Sequence, residues 1–206
     1  MEDDELIRVT SLLRWAGVTR KIPNNAIVRA ALERGTAVHE WSLQIERRTS
    51  DIVSSLDAGD MSPSIIGHMP RELRGYGRAI AKFTDRHQPE WHEREVRKDD
   101  HVLGITGQPD RVGTIAGKRV VVDFKTGNRY GWHRLQLALY SILIERGGVT
   151  VDGVVDRGYK LDKRIGVYLS KFGEFSLQTY ENSRDILEAW SIITKYRNEV
   201  TQNDDT

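Results

Sequence analysis

Apolar and polar positions follow two different periods along this chain, and the changes of period divide it into three parts. Up to residue 90 the apolar residues recur every three or four positions, which predicts a mainly helical part. Residues 91–146 begin with the two-residue alternation of strands and end in an amphipathic helical pattern. Residues 147–206 return to two or three strands and close with a helix. The pattern as a whole predicts an α/β fold.

Turn residues and caps place the individual elements within these parts. Asn24 or Asn25 is predicted to cap the second helix, and residues 51–70 to form a loop with at most one brief helix. The polar tail after Val200 is expected to fray. Three strands are predicted within residues 91–126. The predicted helices are Ser11–Ala16, Ala26–Arg47, Arg71–Arg86, Leu135–Arg146 and Ser183–Glu199. The later predicted strands are Val149–Lys160, Arg164–Leu169 and Phe175–Thr179.

No internal repeat, low-complexity tract or clear linker interrupts the 206 residues. A chain of this length forms one domain with a substantial core and is short for two. We therefore expect a single domain over residues 1–206, with a central mixed β-sheet and helices on both of its faces.

One apolar run ends in charged residues that have candidate chemistry. Val120–Val122 is followed by Asp123, Phe124 and Lys125. Because side chains alternate along a strand, Asp123 and Lys125 are predicted to share one face, while Phe124 faces the other way. A carboxylate beside an ammonium suits either a metal-dependent hydrolytic site or a plain exposed salt bridge.

A second carboxylate, Asp110, precedes this run and lies in the strand-like stretch Val102–Ile115. The connection at residues 115–118 contains a glycine and is typical of a hairpin. In antiparallel neighbouring strands, Asp110 and Asp123 would approach each other, and two close carboxylates repel unless a proton or a metal lies between them. Oxygen ligands of this kind suit Mg²⁺ or Mn²⁺.

Polar residues on the following helix and its connection extend the candidate site. Gln136 and Tyr140 are four positions apart and project from one helix face. The connection 127–133 is basic and aromatic, which suits phosphate contact and base stacking as well as an ordinary loop.

The order Gly107-x-x-Asp110, Asp123-x-Lys125 and Gln136-x-x-x-Tyr140 resembles the core of the PD-(D/E)xK nuclease superfamily. It is most similar to the RecB-like branch, which includes lambda-type exonucleases. That branch carries a histidine on an upstream helix, and His39 in the segment 34–40 matches it. The resemblance implies a restriction-endonuclease-like fold and hydrolysis of DNA that leaves a 5′ phosphate.

The resemblance also implies roles for these residues. His39, Asp110 and Asp123, with the Phe124 backbone carbonyl, would hold one or two Mg²⁺ or Mn²⁺ ions. Asp110, Asp123 and Lys125 would be catalytic, while Gln136 and Tyr140 would support the site or the DNA. A glutamate before the first core strand is frequent in the branch, and Glu93 and Glu95 both fit that place.

The resulting prediction is a metal-dependent deoxyribonuclease, first of all an exonuclease in phage or bacterial recombination or repair. The alternatives are an endonuclease for branched or flapped DNA and a non-catalytic DNA-binding or assembly module. Relatives act beside a single-strand annealing protein or assemble into homo-oligomers, so both are further expectations.

Composition restricts these predictions without deciding between them. The absence of cysteine excludes an iron–sulfur cluster and disulfides, and together with the acidic start at residues 2–5 it favours the cytoplasm of a bacterial or phage-infected cell. No apolar stretch is long enough to cross a membrane. The net charge of +1 neither requires nor excludes binding to DNA. A basic stripe suits either a phosphate backbone or solvent: Arg71, Arg74, Arg78, Lys82 and Arg86.

Overall fold

The computed structural model describes residues 6–19, 25–49, 65–150, 155–156 and 158–204. The predictions for Asn24, for the loop at 51–64 and for part of the strand at 149–160 lie outside these residues. The helices are α1 (Val9–Trp15), α2 (Ala26–Glu46), α3 (Ile65–His68), α4 (Arg74–His87), α5 (His133–Arg146) and α6 (Ser183–Asp204), with a 3₁₀ turn at Arg71–Leu73 before α4. No helix in the described part of the chain is long and apolar enough to span a membrane.

Ten short strands in the described residues form two five-stranded sheets. They are β1 (Ile7–Arg8), β2 (Glu90–Arg94), β3 (Lys98–Asp100), β4 (Ile105–Gly107), β5 (Arg111–Ile115), β6 (Lys118–Lys125), β7 (Gly148–Thr150), β8 (Val155–Asp156), β9 (Lys163–Leu169) and β10 (Phe175–Thr179). We call the sheet β10-β9-β6-β5-β2 the site sheet and the sheet β1-β4-β3-β7-β8 the second sheet. The site sheet is mixed, because β6 and β9 are parallel while its other pairs are antiparallel.

Helices cover both faces of the site sheet, as the sequence predicts. On one face Val121 packs with residues of α1, α5 and α6. On the other face Val120, Val122 and Phe124 pack with residues of α2 and α4. The two-residue period of β6 therefore places Asp123 and Lys125 on the α5 face and Phe124 on the α4 face. The predicted α/β fold, with a mixed sheet and helices on both of its faces, is confirmed.

Three details differ from the sequence predictions. Residues 91–126 contain parts of five strands rather than three, because the chain passes from β2 in the site sheet to β3 and β4 in the second sheet and then returns to the site sheet at β5. Helix α5 is buried on nearly all sides rather than amphipathic, since it packs against α1, α6 and strands of both sheets. Helix α6 continues to Asp204 rather than ending at Glu199.

The start of α2 agrees with one of its two predicted caps. The Asn25 side chain accepts a hydrogen bond from the Val28 N–H at 3.0 Å, which satisfies an otherwise unpaired helical N–H. Further along α2, Gly35 lies beside the end of β6, where an added Cβ would be 3.9 Å from the Thr126 hydroxyl oxygen. That distance is an ordinary van der Waals contact, so the helix does not need a glycine here.

Gly75 in α4 is different, because the helix touches the turn after β9 at this residue. A Cβ added at Gly75 would lie 1.7 Å from the Lys171 carbonyl oxygen. We expect Gly75→Ala to lower the free energy of unfolding by about 3 kcal/mol or more through this backbone clash. Gly35→Ala is the matched helical control, and we expect it to raise that free energy by about 0.5–1 kcal/mol. Urea unfolding of both variants checks the pair, and equal effects would contradict the described α4 contact.

Candidate active site

The first carboxylate of the site lies where β5 begins and β6 ends. Arg111 on β5 is opposite Val122 on β6, so Asp110 and Asp123 occupy the next positions along the two antiparallel strands. The Asp110 Oδ2 atom accepts a hydrogen bond from the Phe124 N–H at 2.6 Å, and both aspartates are buried. The predicted approach of the two carboxylates is therefore present, although Asp110 lies just before β5 rather than inside a strand.

A chain of polar contacts leads from Asp123 to α5. The Lys125 ammonium forms an ion pair with Asp123 Oδ2. The same ammonium donates to Gln136 Oε1 at 2.8 Å, and Gln136 Nε2 donates to the Tyr140 hydroxyl at 3.1 Å. The strand period and the helix spacing thus bring all four residues together as the sequence predicts. The lysine is held from two sides.

His39 reaches the site from α2. Its Nδ1 atom is 3.2 Å from Asp110 Oδ1 and 3.2 Å from Glu95 Oε1. Among the described residues, His39, Glu95 and Asp110 are the group whose potential ligand atoms converge, all within 4.8 Å of one another. The structure therefore joins His39 to Asp110 and adds Glu95, while Asp123 lies beside this group in its ion pair with Lys125.

Backbone geometry distinguishes Glu95 from Glu93, which the sequence spacing leaves equivalent. An irregularity in the pairing of β2 with β5 falls between Trp91 and Glu93. Glu95 then adopts a left-handed φ of 55°, and its N–H donates to the Asp110 carbonyl at 3.0 Å. Such a conformation costs a non-glycine residue about 1–2 kcal/mol. Glu93 instead pairs with Lys98 at 2.8 Å, away from His39.

The buried guanidinium of Arg111 lies beneath the carboxylates, and sequence reasoning did not identify it. It donates to Glu46 Oε1 at 2.8 Å, to Glu95 Oε1 at 3.2 Å and to the Ser42 hydroxyl at 2.5 Å. A fourth hydrogen bond reaches the Asp110 carbonyl at 2.6 Å. A signal for this contact was available, because His39, Ser42 and Glu46 are three and four positions apart and share one face of α2.

The surroundings of His39 and Asp123 raise the pKa values of both residues. Burial by itself lowers the pKa of His39, but the carboxylates of Asp110 and Glu95 outweigh burial and raise that pKa to about 10. Burial raises the pKa of Asp123, and the nearby charge of Asp110 raises it further, while Lys125 acts in the opposite direction. In the metal-free protein the proton on His39 balances part of the negative charge.

The donor set fits a hard divalent cation. One imidazole nitrogen and two carboxylate oxygens converge, and a third carboxylate lies next to them. Carboxylate oxygens favour Mg²⁺ or Mn²⁺, and the imidazole shifts the balance modestly toward Mn²⁺. The sequence contains no cysteine, so no thiolate joins this donor set.

The connection between β6 and α5 runs past Lys125, as predicted, but its histidine is not cationic. His133 is buried, and its Nδ1 lies 2.7 Å from the Tyr168 hydroxyl oxygen. Burial, assisted by the charge of Lys125, lowers the pKa of His133 to about 4. His133 is therefore neutral near pH 7 and contributes packing and hydrogen bonding rather than positive charge.

Two residues of the basic stripe, which runs from the 3₁₀ turn into α4, are engaged within the protein. Arg74 donates to the Gly67 carbonyl at 2.7 Å and to the Met69 carbonyl at 3.0 Å. Lys82 donates to Glu174 at 2.5 Å. These contacts favour a structural and solvated role for this face over contact with DNA.

A model of the PD-(D/E)XK nuclease superfamily matches residues 12–191. The match spans most of the chain and includes every residue of the site described above. The chain belongs to the PD-(D/E)XK nuclease superfamily. Membership confirms the superfamily prediction and identifies a nuclease, while the RecB-like branch stays a prediction.

Other comparisons add little. A search of curated protein sequences gives no match. Among solved structures the chain is similar to the crystal structure of SSO0001, with 16% identical residues and a TM-score of 0.38. That alignment covers 94% of this chain and 84% of the other. At this TM-score the likeness supports no conclusion about the chain.

We expect Arg111→Met to lower the free energy of unfolding by about 3–5 kcal/mol, because it leaves the buried Glu46 carboxylate with only the longer contact to the exposed Arg94, at 3.4 Å. The double variant Arg111→Met with Glu46→Leu removes both charges and should be clearly more stable than the single variant. Chemical denaturation of the three proteins tests this coupling. If the Arg111→Met variant were as stable as the original protein, the stabilising role of the buried Arg111 contacts would be contradicted.

We expect proton and metal to compete for His39 Nδ1, since the metal-free imidazole stays protonated below a pKa of about 10. The affinity for Mn²⁺ should therefore rise about tenfold for each pH unit between about pH 6 and pH 8 through this residue. Calorimetric titration at several pH values measures the slope. In His39→Gln the slope of log affinity against pH should fall by about one, because one proton fewer is released when Mn²⁺ binds. An unchanged slope would contradict ligation by His39.

Proposed function

We propose that this chain is a metal-dependent deoxyribonuclease that hydrolyses phosphodiester bonds, acting as an exonuclease at DNA ends in phage or bacterial recombination or repair. One observation carries the proposal. In a member of a nuclease superfamily, the Asp123–Lys125 ion pair lies beside the converging ligand atoms of His39, Glu95 and Asp110. Metal-dependent hydrolysis of a phosphodiester requires ligands that can hold a cation and a positive group that can contact the phosphate. The carboxylates with His39 provide the first, and the Lys125 ammonium provides the second.

His39, Glu95 and Asp110 are the residues we assign to the metal, together with Asp123 and the Phe124 backbone carbonyl. These residues would hold one or two Mg²⁺ or Mn²⁺ ions, which would supply polarisation of the phosphate and a water of lowered pKa. The hydrogen bond from the Phe124 N–H to Asp110 supports this assignment, because it fixes the end of β6 relative to the first carboxylate.

Lys125 is the residue we assign to charge stabilisation. Its ammonium would orient the attacking water and balance the negative charge that develops on the phosphate oxygens. Gln136 would position the ammonium through its side-chain oxygen, and Tyr140 would in turn orient Gln136. Burial raises the pKa of Tyr140, so its phenol stays neutral and serves as a hydrogen-bonding group rather than a base.

A pocket of about 250 Å³, which Tyr140 also lines, supports the proposal of a polyanionic substrate. Arg8 and Arg97 line it, and Gln108 in its wall also donates weakly to Glu95, at 3.4 Å. The exposed Arg8 guanidinium is suited to a DNA phosphate, whereas the Arg97 guanidinium already pairs with Asp99 at 2.8 Å. The annealing partner, the homo-oligomer, the cytoplasmic location and the three-part division of the domain stay predictions.

Cleavage of end-labelled linear DNA and of covalently closed circular DNA, with Mn²⁺ or Mg²⁺, tests the proposal. We expect metal-dependent loss of the linear substrate alone. Asp123→Ala and Lys125→Ala should each reduce the rate at least about 100-fold, and Gln136→Ala about tenfold, because it loosens the ammonium. Lys118→Ala is the matched control, since it removes an exposed lysine at the other end of the same strand.

Each other result has a distinct meaning. Nicking of the circular DNA would contradict the exonuclease activity and indicate an endonuclease. No cleavage of either substrate by a protein that still binds DNA would contradict the enzyme and leave a binding module. Equal loss of activity in Lys118→Ala and Lys125→Ala would contradict the role assigned to Lys125.

A further inference from the structure

Two aromatic rings lie close together on the connection that follows β6. The planes of Tyr130 and Trp132 are 12° apart, and their centroids are separated by 6.3 Å. Tyr130 is 52% exposed, whereas Trp132 packs partly against the core. We call Tyr130 and Trp132 the aromatic ledge. A Cβ added at Gly127 or Gly131 would meet nothing within 4 Å, so these flanking residues leave the surroundings open.

The aromatic ledge is anchored to the site sheet on both sides. Arg129 donates to the Ser176 hydroxyl on β10 at 2.7 Å, and its guanidinium lies 4.8 Å from the ring centroid of Tyr168 on β9. The ring of Trp132 packs edge-on against His133 at 4.3 Å, and His133 is hydrogen-bonded to Tyr168. A surface held in this way is pre-organised, which lowers the entropy lost when a ligand binds.

The aromatic ledge also has a fixed position relative to the proposed chemistry. The Lys125 ammonium is 5.6 Å from the ring centroid of Trp132, and Lys125 is the residue assigned above to the phosphate. A nucleotide whose phosphate faces Lys125 therefore carries its base, or the base of its neighbour, within reach of these rings. Stacking on an aromatic side chain needs a free base face. An unpaired strand offers such a face at every base, whereas a blunt duplex offers only the outer face of its terminal pair.

We propose that the aromatic ledge stacks an unpaired base next to the phosphate at Lys125, so that Tyr130 selects single-stranded ends and overhangs over blunt duplex DNA. This inference rests on the proposed nuclease function for the position of the phosphate. Tyr130 supplies the exposed stacking face, and Trp132 supports it from the core side. Because every base has a π face, the selection acts on strandedness and not on base sequence.

Binding without metal tests the aromatic ledge separately from catalysis. Fluorescence anisotropy in EDTA would compare a labelled single-stranded oligonucleotide with the same strand in a blunt duplex. We expect Tyr130→Ala to weaken single-strand binding about tenfold and to lower the preference for single strands by a similar factor. Tyr130→Phe, which keeps the ring, should retain most of both.

An abasic series identifies the base that stacks. An abasic sugar moved one position at a time should weaken binding to the original protein at one position, and Tyr130→Ala should remove that effect. Two results overturn the inference. The first is that Tyr130→Ala binds the single strand as tightly as the original protein. The second is that each abasic position weakens binding to Tyr130→Ala as much as it weakens binding to the original protein.

Cleavage distinguishes this inference from the function on which it rests. If the original protein cleaves DNA and Tyr130→Ala keeps the same ratio of overhang to blunt-end cleavage, the role proposed for the aromatic ledge is overturned, and the proposed nuclease activity is retained. If no DNA is cleaved but the binding and abasic results hold, the nuclease fails while base stacking at Tyr130 is supported.

Discussion

The buried guanidinium of Arg111 is the interaction on which the rest of the site depends. It connects α2, through Glu46 and Ser42, to Glu95 and to the backbone of Asp110 on the site sheet. Its flat face also lies 5.4 Å from the ring centroid of Phe124 on β6. A buried charge that loses its partner costs several kcal/mol, so the helix and the strands keep one relative position. That position determines where His39 meets the carboxylates.

The site is otherwise an unfavourable accumulation of negative charge. Glu95, Asp110 and Asp123 lie close together, and burial of Asp123 makes its ionised form more costly still. Three positive groups compensate: the Arg111 guanidinium, the Lys125 ammonium and the proton on His39. The His39 proton is the one that a cation would displace, because the imidazole nitrogen between Asp110 and Glu95 is also the atom proposed to bind the metal. The fold thus places an exchangeable positive charge where the proposed reaction needs one.

Local periodicity predicted the parts of the site that lie within one element. The period of β6 placed Asp123 with Lys125, and the period of α5 placed Gln136 with Tyr140. Contacts between distant elements were predictable only in part. The choice of Glu95 over Glu93 depends on the irregular pairing of β2 and on a left-handed φ, neither of which a strand pattern reveals. Arg111 follows Asp110 directly, yet its burial depends on Glu46, sixty-five positions earlier in the chain. The burial of α5 on nearly all sides likewise requires the second sheet, which the pattern did not separate from the first.

The most direct test of this account is anomalous diffraction from crystals of the protein grown with Mn²⁺. The account predicts an anomalous peak between His39, Glu95 and Asp110, next to Asp123, with the contacts of Arg111 unchanged. A peak elsewhere, or none at saturating Mn²⁺ with His39 still bound to both carboxylates, would contradict the assignment of this cluster as a metal site.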